Sequence, residues 1–276
     1  MSNLDSPRIA FIGGGNMARS LIGALANAGH PVDRLRVSEP NAELRTELDH
    51  DFGIAAFDNA KDACVHADVV LIAVKPQLFK KVCTELMSAL AGSKPLIISI
   101  AAGITITQID GWLGGGNAIV RCMPNTPALI GAGATGLHAN DATSAEQRTQ
   151  AESILGRAGI TRWIDDEALI DVVTALSGSG PAYFFLLVEA LENASVEQGL
   201  PRETARALAT QTCLGAGRML TESGESPEAL RKRVTSPNGT THAAVTAFEQ
   251  GGLRELADSA VIAATERGRE LAAEGG

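Results

Sequence analysis

Arg8-Ile9-Ala10-Phe11-Ile12 runs straight into Gly13-Gly14-Gly15-Asn16-Met17-Ala18, and this junction decides how the chain is read. The first five residues are β-rich. From Met17 to Ala28 the apolar residues Met17, Leu21, Ile22 and Leu25 recur on one helical face, with Gly29 as a stop. Between strand and helix lies Gly13-x-Gly15-x-x-Ala18. The first glycine permits a tight turn, and the second lets the backbone approach a pyrophosphate. The small Ala18 allows close helix–strand packing, and the free N–H groups at the helix start face the phosphate. Strand, glycine loop and helix together predict a dinucleotide site; a tight turn without a ligand is the plainer alternative.

Working outward, the pattern repeats. Leu35–Ser38 reads as a second strand and Asn41–Asp49 as a second helix. Val69–Val74 is a continuous apolar run, as expected of a parallel strand covered on both faces, and Leu96–Ile100 and Ile119–Cys122 resemble it. This alternation predicts a Rossmann-like, doubly wound α/β domain over residues 1–165. Short runs at Thr135–Leu137 and Thr161–Ile164 suggest antiparallel edge strands. Beyond residue 165 helices follow one another: Ala168–Ser177, a break at Ser177-Gly178-Ser179-Gly180, then Pro181–Gln198, Pro201–Glu222, Pro227–Val234, Thr240–Gln250 and Leu253–Ala273. Several are apolar on more than one face, so residues 166–276 are expected to form an all-helical domain that buries surface in a partner subunit.

Composition narrows the function. The chain has 276 residues, 45% of them apolar, and a net charge of −9. That balance lacks the basic footprint of a nucleic-acid or anionic-membrane binder. The uninterrupted apolar run Val69–Val74 is far short of a bilayer span of roughly 20 residues. Met1–Pro7 is short and polar, without the pattern of a secretory signal. Cys64, Cys83, Cys122 and Cys213 are scattered and form no C-x-x-C, so they read as small core residues in a reducing cytoplasm.

The unusual residues sit where ligands bind in open α/β sheets, beyond the carboxyl ends of the strands. Gly13–Ala18 follows the first strand, Glu39-Pro40-Asn41 the second, and Lys75-Pro76 the run VVLIAV. Ala101-Ala102-Gly103 follows LIISI, and Met123–Pro127 follows IVRC. A carboxylate such as Glu39 suits the ribose hydroxyls of NAD and repels the 2′-phosphate of NADP, unless Arg34, Arg36 or Arg45 compensates. In the helical half, Val234-Thr235-Ser236-Pro237-Asn238-Gly239-Thr240-Thr241 combines turn formers with hydroxyls at a helix start. That pattern points to recognition of a small anion, a carboxylate rather than a phosphate ester; plain N-capping explains only one of the three hydroxyls Ser236, Thr240 and Thr241. The five histidines fall into no metal or triad pattern, and no nucleophile elbow, Walker loop or H-E-x-x-H is present. A cofactor is therefore expected to carry the chemistry, and hydride transfer fits.

These residues, in this order, resemble the pyrroline-5-carboxylate reductase family over nearly the whole chain. The matching stretches are IGGGNMA (Ile12–Ala18), AVKPQ (Ala73–Gln77), SIAAGI (Ser99–Ile104), RCMPNTP (Arg121–Pro127), VTALSGSGPAY (Val173–Tyr183) and VTSPNGTT (Val234–Thr241). The resemblance implies NADPH- or NADH-dependent reduction of 1-pyrroline-5-carboxylate to L-proline by a homodimer or a ring of dimers. It implies that Ile12, Gly13, Gly14, Gly15, Asn16 and Met17 cradle the pyrophosphate, with Glu39 and Asn59 at the adenosine end. Ala73, Val74, Lys75 and Pro76, with Ala101, Ala102 and Gly103, would line the nicotinamide side, and Arg233 would also meet the cofactor. Ser236, Pro237, Asn238, Gly239, Thr240 and Thr241 would hold the substrate carboxylate, with Thr241 bonded to the ring nitrogen as the catalytic contact and Glu167 nearby. Relatives often carry Gly where Asn238 stands, and Ser where Glu39 stands. A β-hydroxyacid dehydrogenase is a rival, but it needs a lysine in the helical half, where Lys232 stands alone. A nucleotide sensor without turnover would not need the Ser236–Thr241 loop.

Overall fold

Each residue of Val69–Ile72 (β4) is buried because alternate side chains enter opposite cores. Val69 and Leu71 join one apolar cluster with Ile9, Phe11 and Leu35, while Val70 and Ile72 join another with Ala10, Ile12 and Ile97. A strand with both faces covered has no polar side to show, which is why its sequence is continuously apolar. The computed structural model describes residues 6–90 and 92–274; most of the polar start, Met1–Asp5, lies outside them.

The described residues form one eight-stranded sheet. Its strands are Ile9–Ile12 (β1), Leu35–Ser38 (β2), Ala55–Phe57 (β3), β4, Leu96–Ser99 (β5), Ile119–Met123 (β6), Gly133–Ala139 (β7) and Gly159–Trp163 (β8), in spatial order β3-β2-β1-β4-β5-β6-β7-β8. β1 to β6 pair in parallel, and β7 turns antiparallel to β6. The strand order reverses between β1 and β4, where the registers Ile9↔Val69 and Ile12↔Ile72 are fixed. Helices Asn16–Asn27 (α1), Ala42–Phe52 (α2), Ala60–Ala63 (α3), Pro76–Ala89 (α4), Ile106–Trp112 (α5) and Ala145–Leu155 (α6) fall between the strands. The edge strands expected at Thr135–Leu137 and Thr161–Ile164 are present as β7 and β8. They do run against the sheet, but β8 pairs parallel to β7. The three-residue β3, too short to show a pattern, extends the other edge.

The chain divides into two compact units, Met1–Ser179 with Ala263–Gly276, and Gly180–Ile262. In the first, Ile170–Val173 (α7) leads into a π turn, Thr174–Gly178, where the sequence predicted a break. The hydroxyls of Thr174 and Ser177 bond back to the carbonyls of Ile170 and Val173, and Ser179 N–H reaches Thr174 O at 2.8 Å. Gly178 is small because a Cβ there would lie 2.8 Å from Met123 Cε. Gly178 permits close approach to Met123 of β6, whereas a Cβ on Gly180 would meet nothing within 4 Å.

The second unit contains Gly180–Glu197 (α8), Arg202–Glu222 (α9), Pro227–Arg233 (α10) and Thr240–Gln250 (α11), and Leu253–Glu274 (α12) begins in it. Glu192, buried on α8, is held by Arg202 and Arg206 of α9 at 2.9 and 3.0 Å, and these guanidinium bonds keep its carboxyl below the usual range. Phe184, Phe185 and Leu186 of α8 are 58%, 67% and 66% exposed. By length and composition the stretch Glu167–Glu197 could cross a membrane, a property that counting uninterrupted apolar runs passed over. Cys64, Cys83 and Cys122 are buried and free, as core residues; burial pushes the Cys64 and Cys83 thiols up to about 12.

A buried cation lies inside the first unit. Arg121, on β6, is 2% exposed and pairs with Glu167 at 3.0 Å and Asp171 at 3.2 Å, so the start of the helical half is pinned to the sheet. An unpaired buried charge is costly, and removing one partner strands the others. Arg121→Met is expected to cost about 3 kcal/mol, the low end for a buried pair because Glu167 keeps some access to water. The urea midpoint checks this, and a loss under about 1 kcal/mol contradicts it.

Candidate active site

The loops after β1, β2, β4 and β5 meet at one rim of the first unit. Gly13 N–H donates to Ser38 O and Ala73 N–H to Ile12 O, each at 2.8 Å, so the ends of β1, β2 and β4 are laced together. Gly13 has φ +98°, and a Cβ there would sit 2.7 Å from Ala73 O; glycine is required on both counts. Gly14 is confined as well, since a Cβ would meet Leu48 Cδ1 at 2.7 Å and Glu39 Cβ at 3.2 Å. Gly15 differs: it is exposed, and a Cβ there would meet nothing within 4 Å. The outer wall of the loop thus stays open beside the N-terminus of α1, whose cap residue, Gly15, offers no side-chain bond. Unpaired N–H groups and the helix dipole favour an anion at that spot. This cradle fits a dinucleotide pyrophosphate.

Glu39 flanks the glycine loop. Its carboxylate accepts from Gly14 N–H at 2.9 Å and from Asn41 N–H at 3.0 Å, so it bridges the glycine loop and the start of α2. Arg45, which the sequence marked only as a neighbour, donates to the carbonyls of Glu39 and Pro40 at 2.7 and 2.8 Å and holds the loop's backbone. Asn59 follows β3 and caps α3, accepting from Asp62 N–H, while its amide bonds Asp58 and Asp62 at 2.9 Å each. Across the rim, Ala73 and Val74 are half-buried, Lys75 is exposed, and Pro76 opens α4. Ala101 and Gly103 are buried and Ala102 is half-buried. A Cβ on Gly103 would meet Leu271 Cβ at 3.0 Å, and Gln108 donates to Ala272 O, so the chain's last turns pack against the loop after β5.

Glu167 lies in the same unit, not free: its Oε1 accepts from Ile106 N–H at 2.8 Å and from Arg121. Asn125 was missed as an individual residue. It is buried, donates to Ser177 O and accepts from Ala134 N–H, tying β7 to the turn before α8. A polar residue that follows an apolar strand and cannot reach water was the available signal.

In the second unit the Ser236–Thr241 loop leads into α11. Pro237-Asn238-Gly239 forms the expected turn, closed by Gly239 N–H to Ser236 O at 3.1 Å, with Asn238 left-handed at φ +58°. Glycine or asparagine tolerates that conformation best. Gly239 caps α11 without a side-chain bond, so none of Ser236, Thr240 or Thr241 serves as the N-cap. In contrast, α2, α5, α6 and α10 begin with Asn41, Thr105, Ser144 and Ser226 side chains bonded to the first turn. Arg233 pairs with Glu225 and borders an open groove of about 500 Å³ with Arg218, Met219 and Glu222.

A glycine cradle at the point where a doubly wound sheet reverses its strand order defines a Rossmann-type dinucleotide-binding protein. Comparison with known proteins narrows the class. A family model for pyrroline-5-carboxylate reductase dimerisation matches residues 167–271, and one described as NADP oxidoreductase, coenzyme F420-dependent, matches residues 8–103. A pyrroline-5-carboxylate reductase of Pseudomonas aeruginosa is 51% identical over 98% of both chains. A solved Coxiella burnetii pyrroline-5-carboxylate reductase is 44% identical over 97% of this chain and 99% of that one, with a TM-score of 0.93. The Plasmodium falciparum pyrroline carboxylate reductase solved with NADP bound is 29% identical, covers 96% of this chain and 98% of its own, and scores 0.85. The chain belongs to the pyrroline-5-carboxylate reductase family.

The cradle predicts opposite outcomes for two alanines. Gly15→Ala should fold normally yet lose at least about tenfold in dinucleotide affinity, because its methyl occupies the open wall. Gly13→Ala should lower the melting temperature, through its positive φ and its clash with Ala73. Thermal melts and titration with NADH separate the two, and wild-type affinity in Gly15→Ala would contradict the cradle.

Proposed function

We propose that the chain reduces 1-pyrroline-5-carboxylate to L-proline, using NADH or NADPH. The observation that supports this reading is the pair of glycine-capped helix starts, α1 at Gly15 behind the Gly13–Gly15 cradle and α11 at Gly239 behind the Ser236–Thr241 loop; α4 and α9 also start without a side-chain cap, but behind Lys75 and Pro201. The first suits a pyrophosphate and the second a single carboxylate, which are the anionic groups of such a cofactor and such a substrate. Bound nicotinamide supplies a hydride to the imine carbon, and a proton goes to the imine nitrogen, giving the secondary amine.

The residues' work is positioning. Ile12, Gly13, Gly14, Gly15, Asn16 and Met17 fix the pyrophosphate, with Glu39 and Asn59 at the adenosine end. Ala73 to Pro76 and Ala101 to Gly103 orient the reducing ring, and Arg233 assists at the cofactor. Ser236 to Thr241 hold the carboxylate through backbone N–H groups and hydroxyls. Thr241, half-buried on the first turn of α11, hydrogen-bonds the ring nitrogen; its hydroxyl is too weak an acid to act alone, so solvent is the proton source. Glu167 is assigned to substrate binding as well, and in its own unit it accepts from Ile106 N–H and Arg121. Residues 1–165 serve the cofactor, and residues 166–276 serve the substrate and the subunit contact.

The exposed apolar residues of α8 fit a homodimer interface, extended to a ring of dimers, better than lipid: an ion-pair cluster at Glu192 sits on the same helix. Three buried free thiols suit the reducing cytoplasm.

Loss of reduced-nicotinamide absorbance on adding 1-pyrroline-5-carboxylate tests the reaction; no turnover by folded protein that binds the nucleotide rejects it. Thr241→Ala should lower kcat/KM about ten- to hundredfold, as for a lost hydrogen bond to a charged group, and unchanged kinetics would remove Thr241 from the mechanism. Asn238→Gly should preserve the loop. Asn238→Ala, which pays about 1 kcal/mol for the left-handed backbone, should raise KM for the substrate without weakening NADH binding; equal KM values would show that the turn does not shape the site.

A further inference from the structure

We infer that this chain favours NADH over NADPH and that Glu39 is the residue that sets the preference; the inference rests on the dinucleotide reading above and deepens it. In a doubly wound sheet the adenosine ribose falls at the end of the second strand, where a carboxylate accepts from the 2′-hydroxyl. Glu39 is the first residue past β2. Its two oxygens are anchored by Gly14 and Asn41 N–H groups, at 2.9 and 3.0 Å, and each keeps acceptor capacity for a hydroxyl. The anchoring also removes the escape open to a flexible surface carboxylate, which could swing away from an incoming phosphate. Gly14 enforces the contact, since the space that a Cβ would need is filled by Glu39 and Leu48.

The surroundings add to the repulsion. Glu39 N–H bonds to Phe57 O at 2.9 Å, so the ends of β2 and β3 lie side by side, and Asp58 is the next residue along β3. Asn59 gathers Asp58 and Asp62 through one amide nitrogen. The three nearby arginines aim Nη1 at backbone carbonyls rather than at the ribose side, Arg45 at Glu39 and Pro40, Arg36 at Val65 and Arg34 at Ser6, so these donors are committed although the positive charges remain. A 2′-phosphate would enter a rim of carboxylates, and like charges a few ångströms apart at a protein surface shift an equilibrium about tenfold or more.

The test is titration of the purified full-length chain with NADH and with NADPH, without substrate, followed by quenching of intrinsic fluorescence at low and high salt. The wild type should bind NADH at least about tenfold more tightly, and salt should narrow the gap by screening the 2′-phosphate. Glu39→Gln, which removes charge at constant length, should bring the two affinities to within about threefold. Glu39→Ser should favour NADPH. Equal or tighter wild-type binding of NADPH overturns the inference, as does an unchanged ratio in Glu39→Gln. Failure of both nucleotides to bind overturns the inference together with the dinucleotide reading. Selective NADH binding without turnover on 1-pyrroline-5-carboxylate sustains the inference and rejects the reductase reading.

Discussion

The approach of Gly13 to the Ala73 carbonyl is the constraint around which the rest is arranged. It occurs where the strand order reverses, the one place in such a sheet where two neighbouring loops part to opposite faces and leave a crevice. A side chain at position 13 would push β1 and β4 apart, and the hydrogen bonds from Gly13 to Ser38 and from Ala73 to Ile12 could not both form. Two apolar cores, one on each face, hold this seam rigid, so the glycine loop meets a ligand with its backbone already placed.

Charge is handled differently in the two compact units. The first accepts a buried cation, Arg121, and surrounds it with Glu167 and Asp171. The second buries an anion, Glu192, between Arg202 and Arg206 of the following helix. In both cases a long-range ion pair fixes one element against another, where apolar contact alone would permit sliding. The helix starts of α1 and α11 do the reverse and leave backbone donors without side-chain partners, at the two places where the proposed cofactor and substrate bring negative charge.

Much of this was legible from residue pattern because the governing forces are local. VVLIAV announces a strand covered twice, and Gly13-x-Gly15-x-x-Ala18 announces the turn after β1. What stayed hidden depends on contacts distant in sequence. The three residues of β3 carry no periodicity, and β8 takes its direction from β7 alone. Ser177-Gly178-Ser179-Gly180 has the composition of a loop, yet Gly178 packs against Met123 and the Thr174 and Ser177 hydroxyls bond back along the helix, within a π turn. Hydroxyls at Ser236, Thr240 and Thr241 pointed to an anion site with plain N-capping as the alternative, and the backbone puts Gly239 at the cap. Glu39 was placed correctly at the end of a strand, but its grip on Gly14 could not be read from spacing.

The pairing of Arg121 with Glu167 and Asp171 also bears on how the chain can be taken apart. Residue pattern changes at about 165, yet a fragment cut there would keep a guanidinium in the middle of its sheet and lose both of its counter-ions. The smallest portion able to bury that strand without an orphaned charge must run past Asp171. The nucleotide-binding half is therefore not an interchangeable cassette: transplanted onto a different helical partner, it must bring residues 167–173 with it or receive two carboxylates at the same places.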